Sequence, residues 1–159
     1  MKRPTSRLVY TVLCPVDFSK TSRTALRCAA TIARRFHGRL VVLFVNDPLL
    51  VAAAAAAADR RARVATSTRE LKQFVSRALK GQPASPALCQ VAVGVPPLEI
   101  LKVARRLSCD VMVMGTSGVG GVGRLFFGST IDRVLRATTI PVVAVPPATI
   151  PAPPRIPGL

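Results

Sequence analysis

Tryptophan is absent from this chain of 159 residues, tyrosine occurs once, and aromatic residues make up 4% of it. A core built on rings is therefore excluded, and the interior must be aliphatic: Val, Ile, Leu and Ala. Acid is scarce as well. Seven Asp and Glu stand against 23 Lys and Arg, a formal charge of +16. Sixteen basic and four acidic residues occur up to residue 80, leaving +12 there, and the remainder carries +4. Such a balance favours anionic partners (nucleotides, nucleic acid or acidic surfaces) without choosing among them. Histidine occurs once, as His37, so no Ser-His-Asp or Cys-His machinery can be assembled. At the end of a helix, His37 reads as a cation facing the helix C-terminus. Four cysteines, Cys14, Cys28, Cys89 and Cys109, include no CxxC pair. That spacing argues against a zinc site or a disulfide framework and for buried, reduced thiols, with a cytoplasmic location. The longest apolar stretch, Pro48 to Ala58, is too short and too alanine-rich to span a membrane. The basic start Met1-Lys2-Arg3-Pro4 leads into a run interrupted by Thr11, Pro15 and Asp17, which does not read as a signal peptide.

What is present is a regular alternation. Leu8 to Cys14 is an apolar strand, and Ser19 or Thr21 can cap a helix running to His37, with Gly38 as its stop. Ala25, Cys28, Ala29, Ile32, Ala33 and Phe36 form its apolar side. Leu40 to Val45 is a second strand, followed by a helical stretch from Val51 to Lys80. Leu88 to Val93 is a third strand, Leu98 to Leu107 a helix with Pro97 in its first turn, and Val111 to Met114 a fourth strand. A glycine-rich loop, a helix from Ser129 to Ala137 and a strand from Pro141 to Val145 complete the pattern. Residues 1–147 are expected to form one domain. The tail 148–159, rich in proline, is expected to be extended or disordered. The βα alternation with short connections implies an α/β fold: a parallel sheet with helices on both faces. Ligands of such sheets sit outside the strand carboxyl ends, where the strand order switches. The segments to search are Pro15 to Phe18, Val45 to Pro48 and Gly115 onward.

The loop Gly115 to Gly128 lies between a strand and a helix. Its glycines let backbone N–H groups approach an anion, and the helix from Ser129 aims its positive end at the same place. Three familiar patterns fail here. Walker A needs Lys-Ser/Thr where Arg124-Leu125 stand. Gly118, Gly120 and Gly123 match a dinucleotide fingerprint, but the following strand runs into Pro146-Pro147 with no acidic ribose clamp. A nucleophile elbow is broken by Val119. The spacing that remains is Gly115-x2-Gly118-x9-Gly128-Ser129. Ser129 and Asp132 also form S-x-x-D, a capping-box variant. Asp17 can equally help to cap the first helix.

With that spacing, Cys14-Pro15-Val16-Asp17-Phe18-Ser19, Leu43-Phe44-Val45, Asp110 to Thr116 and Pro141-Val142-Val143, the chain resembles the universal stress protein family. The likeness is to its nucleotide-binding subgroup and covers Val9 to Val145. The resemblance implies a single Rossmann-like nucleotide-binding α-hydrolase-type domain, an open five-stranded parallel sheet of order 3-2-1-4-5. It also implies ATP, Mg²⁺ being left open, held between the ends of strands one and four. Pro15 and Asp17 would lie beside the adenosine and Val45 against adenine. Met114 ends strand four, and Gly115 and Gly118 would let N–H groups reach ribose and phosphate. Gly128, Ser129 and Thr130 would meet the phosphates, with Arg124 as a further cation. Ile131 and Ser117 depart from relatives that carry polar side chains there. The family further implies a homodimer through 141–145, and this edge strand is apolar. The chemistry is read as nucleotide binding in a stress-response or regulatory role, with ATP hydrolysis slow or incidental. The alternative is a basic interaction protein with a vestigial site, binding nucleic acid or acidic partners. A nucleic-acid role would want one basic stripe with stacking aromatics. Arg34-Arg35, Arg60-Arg61-Arg63 and Arg105-Arg106 instead fall on separate helices in the sequence.

Overall fold

In a computed structural model, residues 9–48, 57–83, 86–116 and 128–147 are described, with the backbone alone for 57–59. Five strands, β1 (Thr11–Val16), β2 (Arg39–Asn46), β3 (Ala87–Val93), β4 (Val111–Gly115) and β5 (Val142–Val145), form one parallel sheet in the order β3-β2-β1-β4-β5. Among the described residues four helices accompany it: α1 (Lys20–Arg35), α2 (Ala57–Ala78), α3 (Pro96–Arg106) and α4 (Ser129–Ala137).

Alternate side chains of each strand enter opposite cores, as the period of two requires. Val12, Cys14, Val16, Val42, Val111 and Val113 pack with α1 and α2. Leu13, Val41, Leu43, Met112 and Met114 pack with α3 and α4. Both faces of the central strands are covered, which is why their sequences run apolar without alternation.

The strand and helix bounds differ from the sequence expectation in instructive ways. β1 begins three residues later than Leu8 and continues through Pro15 to Val16. Proline cannot donate to a ladder, yet Pro15 sits opposite Leu43 of β2 in a central strand. The β1–β4 pairing stops before it: its register is Val12 to Val111 and Leu13 to Met112 only, while β1 and β2 pair over six residues. β5 starts after Pro141, whose carbonyl instead accepts Met112 N–H at 2.9 Å. α3 begins at Pro96 rather than Leu98, and α2 is described from Ala57, so the expected helix start at 51 lies outside the described residues, as does the tail 148–159.

The end of α1 corrects the reading of Gly38. His37, with φ 49°, takes the left-handed position, and Gly38 N–H reaches Ala33 O at 2.8 Å while His37 N–H reaches Arg34 O at 3.2 Å. This is a Schellman closure with histidine where glycine is usual. Gly38 is required for another reason: a β-carbon there would lie 2.3 Å from Tyr10 O. α3 ends the same way, with Ser108 at φ 48° and Cys109 N–H on Ala104 O at 3.0 Å. The buried side of α1 is also broader than expected. Leu26 and Ala30 are buried, while Phe36 lies outside the helix core, exposed and stacked on Tyr10 at 4.7 Å.

Candidate functional site

Past Leu13 and Met112, β1 and β4 are no longer paired, and a cleft opens between their carboxyl ends. This is the switch point, where one crossover leaves toward β2 and the other toward β5. Pro15, Asp17, Val45, Met114, Gly115, Gly128, Ser129 and Thr130 all line it. Gly118 and Arg124, the other two residues singled out in the sequence, lie outside the described residues, as does Ser117. Val45 and Met114 point to the α3–α4 side of the sheet and Gly115 to the α1 side, so the cleft has a distinct wall on each face.

One wall is the start of α1. Ser19 is its N-cap and accepts a hydrogen bond from Ser22 N–H at 3.1 Å, which selects Ser19 over Thr21. Asp17 folds back on the same turn, its carboxylate accepting Ser19 N–H at 3.0 Å. Burial alone would raise the Asp17 pKa, but hydrogen bonds from Ser19 and Ser22 outweigh it and hold the carboxyl below its ordinary value. Asp17 is therefore an anion at neutral pH at the rim of the cleft. Between them Phe18 adopts φ 64°, a conformation unusual for a bulky residue. Its ring compensates by packing on Phe44 at 4.4 Å and edge-on to Phe74 at 5.4 Å. The strained residue thus turns the chain while anchoring it, leaving Asp17 outside the core.

The opposite wall is the start of α4. Its N-cap is Gly128, with no side-chain cap hydrogen bond, and Ser129 is the first helical residue. The capping box is thereby overturned: Asp132 pairs instead with Arg136 at 3.0 Å. A helix beginning on glycine has no side-chain acceptor at its own N-cap for the N–H donors of its first turn, and Ser129 and Thr130 of that turn line the cleft. No Lys or Arg is among the described lining residues, and among these the starts of α1 and α4 supply positive potential.

Gly115 joins the two walls. A β-carbon on it would lie 3.0 Å from Thr21 C and Cγ2 and 3.1 Å from Ser22 N. Its small size lets β4 lie directly against the first turn of α1. That packing constraint adds a reason for glycine beyond any approach to a ligand.

Sequence reasoning missed Pro96 and Ile100 of α3 and Leu43 and Phe44 of β2, which also line the cleft. The α3 residues were missed because only the ends of strands one, two and four were searched. α3 is the crossover from β3 to β4, so it crosses beneath β2 and brings its start to the switch point. Chain order after β3 carried that signal. Among the described residues no group of three His, Cys, Asp or Glu could hold a metal ion, and no helix is long and apolar enough to cross a membrane.

A model of the universal stress protein family matches residues 10–146. A universal stress protein of Thermus aquaticus is 30% identical over 135 residues, covering 85% of this chain and 97% of that relative. Among solved structures, a universal stress protein in complex with cAMP superposes with a TM-score of 0.63 at 21% identity, covering 88% of this chain and 98% of that one. One from Archaeoglobus fulgidus in complex with dAMP gives 0.54 at 18% identity, over 86% of this chain and 97% of that one.

Proposed function

The chain belongs to the universal stress protein family, and from that membership we propose that it binds ATP in the cleft between β1 and β4 and acts as a nucleotide-dependent stress-response or regulatory protein. The observation that carries this reading is the convergence of two helix starts, one of them uncapped, on a cleft that also gathers Asp17, Val45 and Gly115. The bound cAMP and dAMP named for two relatives of the same fold support an adenine nucleotide as the ligand class.

In this reading Val45 and Ile100 give the base an apolar bed, and Asp17, ionised, accepts hydrogen bonds from ribose or the adenine amine. The first-turn N–H groups of α4, with the hydroxyls of Ser129 and Thr130, take the phosphates. The family resemblance assigns Gly118 and Arg124 to the same phosphate end. Hydrolysis is slow or incidental. Asp17 is the sole carboxylate among the described lining residues, so no paired acid and base flank a reacting phosphate there. The three thiols whose pKa burial raises, Cys14, Cys28 and Cys89, suit a reducing cytoplasm in which they stay unreactive.

The test is Ser129→Asp. A carboxylate at the first position of α4 favours the helix dipole, so folding is kept or improved. The same charge faces the phosphates and should weaken ATP binding by about tenfold or more. Unchanged affinity in a protein of unchanged melting temperature would remove α4 from the site.

We also propose a homodimer through β5, which pairs on one side only with β4 and carries Val142, Val143 and Val145. Sedimentation at micromolar concentration should give twice the 16.9 kDa chain mass; a monomer would exclude it.

A further inference from the structure

The turn from β1 into α1 is fixed partly from outside the cleft. Phe18 stands in it between Asp17 and Ser19 at φ 64°, a conformation that a bulky residue keeps only where its surroundings impose it. Three of the chain's six phenylalanines meet at this point, in an interior otherwise built chiefly of Val, Leu and Ala. The Phe18 ring lies 4.4 Å from that of Phe44 on β2 and 5.4 Å, edge-on, from that of Phe74 on α2. Phe74 is buried, and the Arg23 guanidinium lies 5.9 Å from its ring centroid. Through Phe74, α2 reaches the turn that carries Asp17.

The conformation of this turn decides where Asp17 stands. Its carboxylate accepts Ser19 N–H at 3.0 Å across Phe18, and Ser19 Oγ accepts Ser22 N–H at 3.1 Å. Were Phe18 to relax to negative φ, the peptides on either side of it would reorient. The hydrogen bond between Asp17 and Ser19 would break, and the carboxylate would leave the rim of the cleft. Ring packing opposes that relaxation, because the tilted contact with Phe44 and the edge-on contact with Phe74 require the Phe18 side chain to point inward. Phe44 lines the cleft itself, so its loss would act on a ligand directly. Neither Phe74 nor any other residue of α2 is among the described lining residues. Any effect of Phe74 on a ligand therefore passes through another side chain.

We propose that Phe74 is a positioning residue for nucleotide binding: acting through the Phe18 ring, it holds Asp17 against the nucleoside end of the ligand. The inference rests on the ATP reading of the cleft. Phe74 belongs to the core on the α1 side of the sheet, whereas Ile131 and Val134 of α4 belong to the core on the other side. The phosphate end, met by the start of α4, is thus supported separately, and the two ends of the ligand should respond differently to a change at Phe74.

The test is a double-mutant cycle read by calorimetric titration with ATP and with tripolyphosphate, at a temperature where each variant is shown to be folded. Asp17→Asn removes a charged hydrogen-bond acceptor and should lower ATP affinity about tenfold. Phe74→Leu keeps the site apolar but removes the ring, and should lower ATP affinity about fivefold while changing tripolyphosphate affinity less than about twofold. In the double variant Phe74→Leu should cost nothing beyond Asp17→Asn, since both act on the same carboxylate. Phe74→Tyr, which keeps the ring, should restore ATP binding. A second pair at the turn keeps the proposal testable should Phe74→Leu not fold. Phe18→Ala loses the ring and keeps the strain, so ATP binding should weaken; Phe18→Gly takes φ 64° freely and should recover part of that loss. Equal losses on ATP and tripolyphosphate, or additive losses from Asp17→Asn and Phe74→Leu, would overturn the proposal. So would unchanged ATP affinity in folded Phe74→Leu, or in Phe18→Ala, beside a weakened Asp17→Asn. Unchanged affinity in Asp17→Asn itself would instead refute the placement of the nucleoside in the cleft, so the two failures are told apart.

Discussion

Gly38 satisfies a constraint that only a missing side chain can meet. A β-carbon 2.3 Å from Tyr10 O would force β1 and the start of β2 apart, because the obstacle is backbone. Gly38→Ala should therefore destabilise the protein by about 1–3 kcal/mol, read from urea denaturation. The neighbouring His37 and the distant Ser108 present the opposite case. Both sit at positive φ in Schellman closures, where a β-carbon is strained. Ser108→Gly should stabilise by up to about 1 kcal/mol, the strain relieved being partly offset by the freer unfolded chain. An unchanged or lower denaturation midpoint would show that the strain is already relieved by the loop. Asp17 sets a pH dependence of known sign. Its folded pKa lies below the ordinary 3.8, so the stability it adds is full above that value and is lost as pH falls through the lower, folded one. Because the carboxylate is exposed, its share is small. Asp17→Asn should flatten the acid limb of the stability profile below about pH 4 and leave neutral pH little changed. These residues were partly legible. Glycine after a helix marks a stop, but whether it takes the left-handed position or yields space to a neighbouring strand depends on Tyr10, 28 positions earlier in the chain.

At the scale of elements, the described strands and helices could be read from apolar runs, glycines and prolines, while several of their ends could not. β1 was placed early because Leu8 to Cys14 is a continuous apolar run and proline argues against a central strand. The sheet tolerates Pro15 because β4 pairs with β1 only as far as Leu13. The same early end of pairing opens the cleft. Its position was legible as a strand terminus, whereas its α3 wall required knowing over which strand the crossover passes. The bounds of α4, Ser129 to Ala137, agree with the sequence reading, but its cap does not: S-x-x-D would make Ser129 the N-cap of a capping box, and the N-cap is Gly128. The start of α1 was narrowed to Ser19 or Thr21, of which Ser19 is the cap, and Ser19→Ala should cost about 1 kcal/mol through loss of the Ser22 N–H acceptor, measured by thermal or chemical unfolding. No change would mean that Asp17 takes over the cap.

For the whole molecule, alternation of strands and helices sufficed to imply a parallel α/β sheet, and the strand order followed from family resemblance and not from periodicity. What composition could not convey is where the charge of +16 resides. Covering the sheet on both faces places eleven basic and two acidic residues on α1 with α2, and five basic and two acidic on α3 with α4. That asymmetry makes any anion an attractive ligand in a loose sense, and a shaped ATP site has to be told from charge attraction. Calorimetric titration of nucleotide-stripped protein at physiological salt, with ATP and tripolyphosphate as parallel ligands, makes that distinction. The cleft between β1 and β4 predicts micromolar ATP binding, with tripolyphosphate weaker by about tenfold or more because Val45, Ile100 and Asp17 have no base or sugar to meet. Equal affinity for the two ligands, or heat from neither, would contradict an ATP site in that cleft.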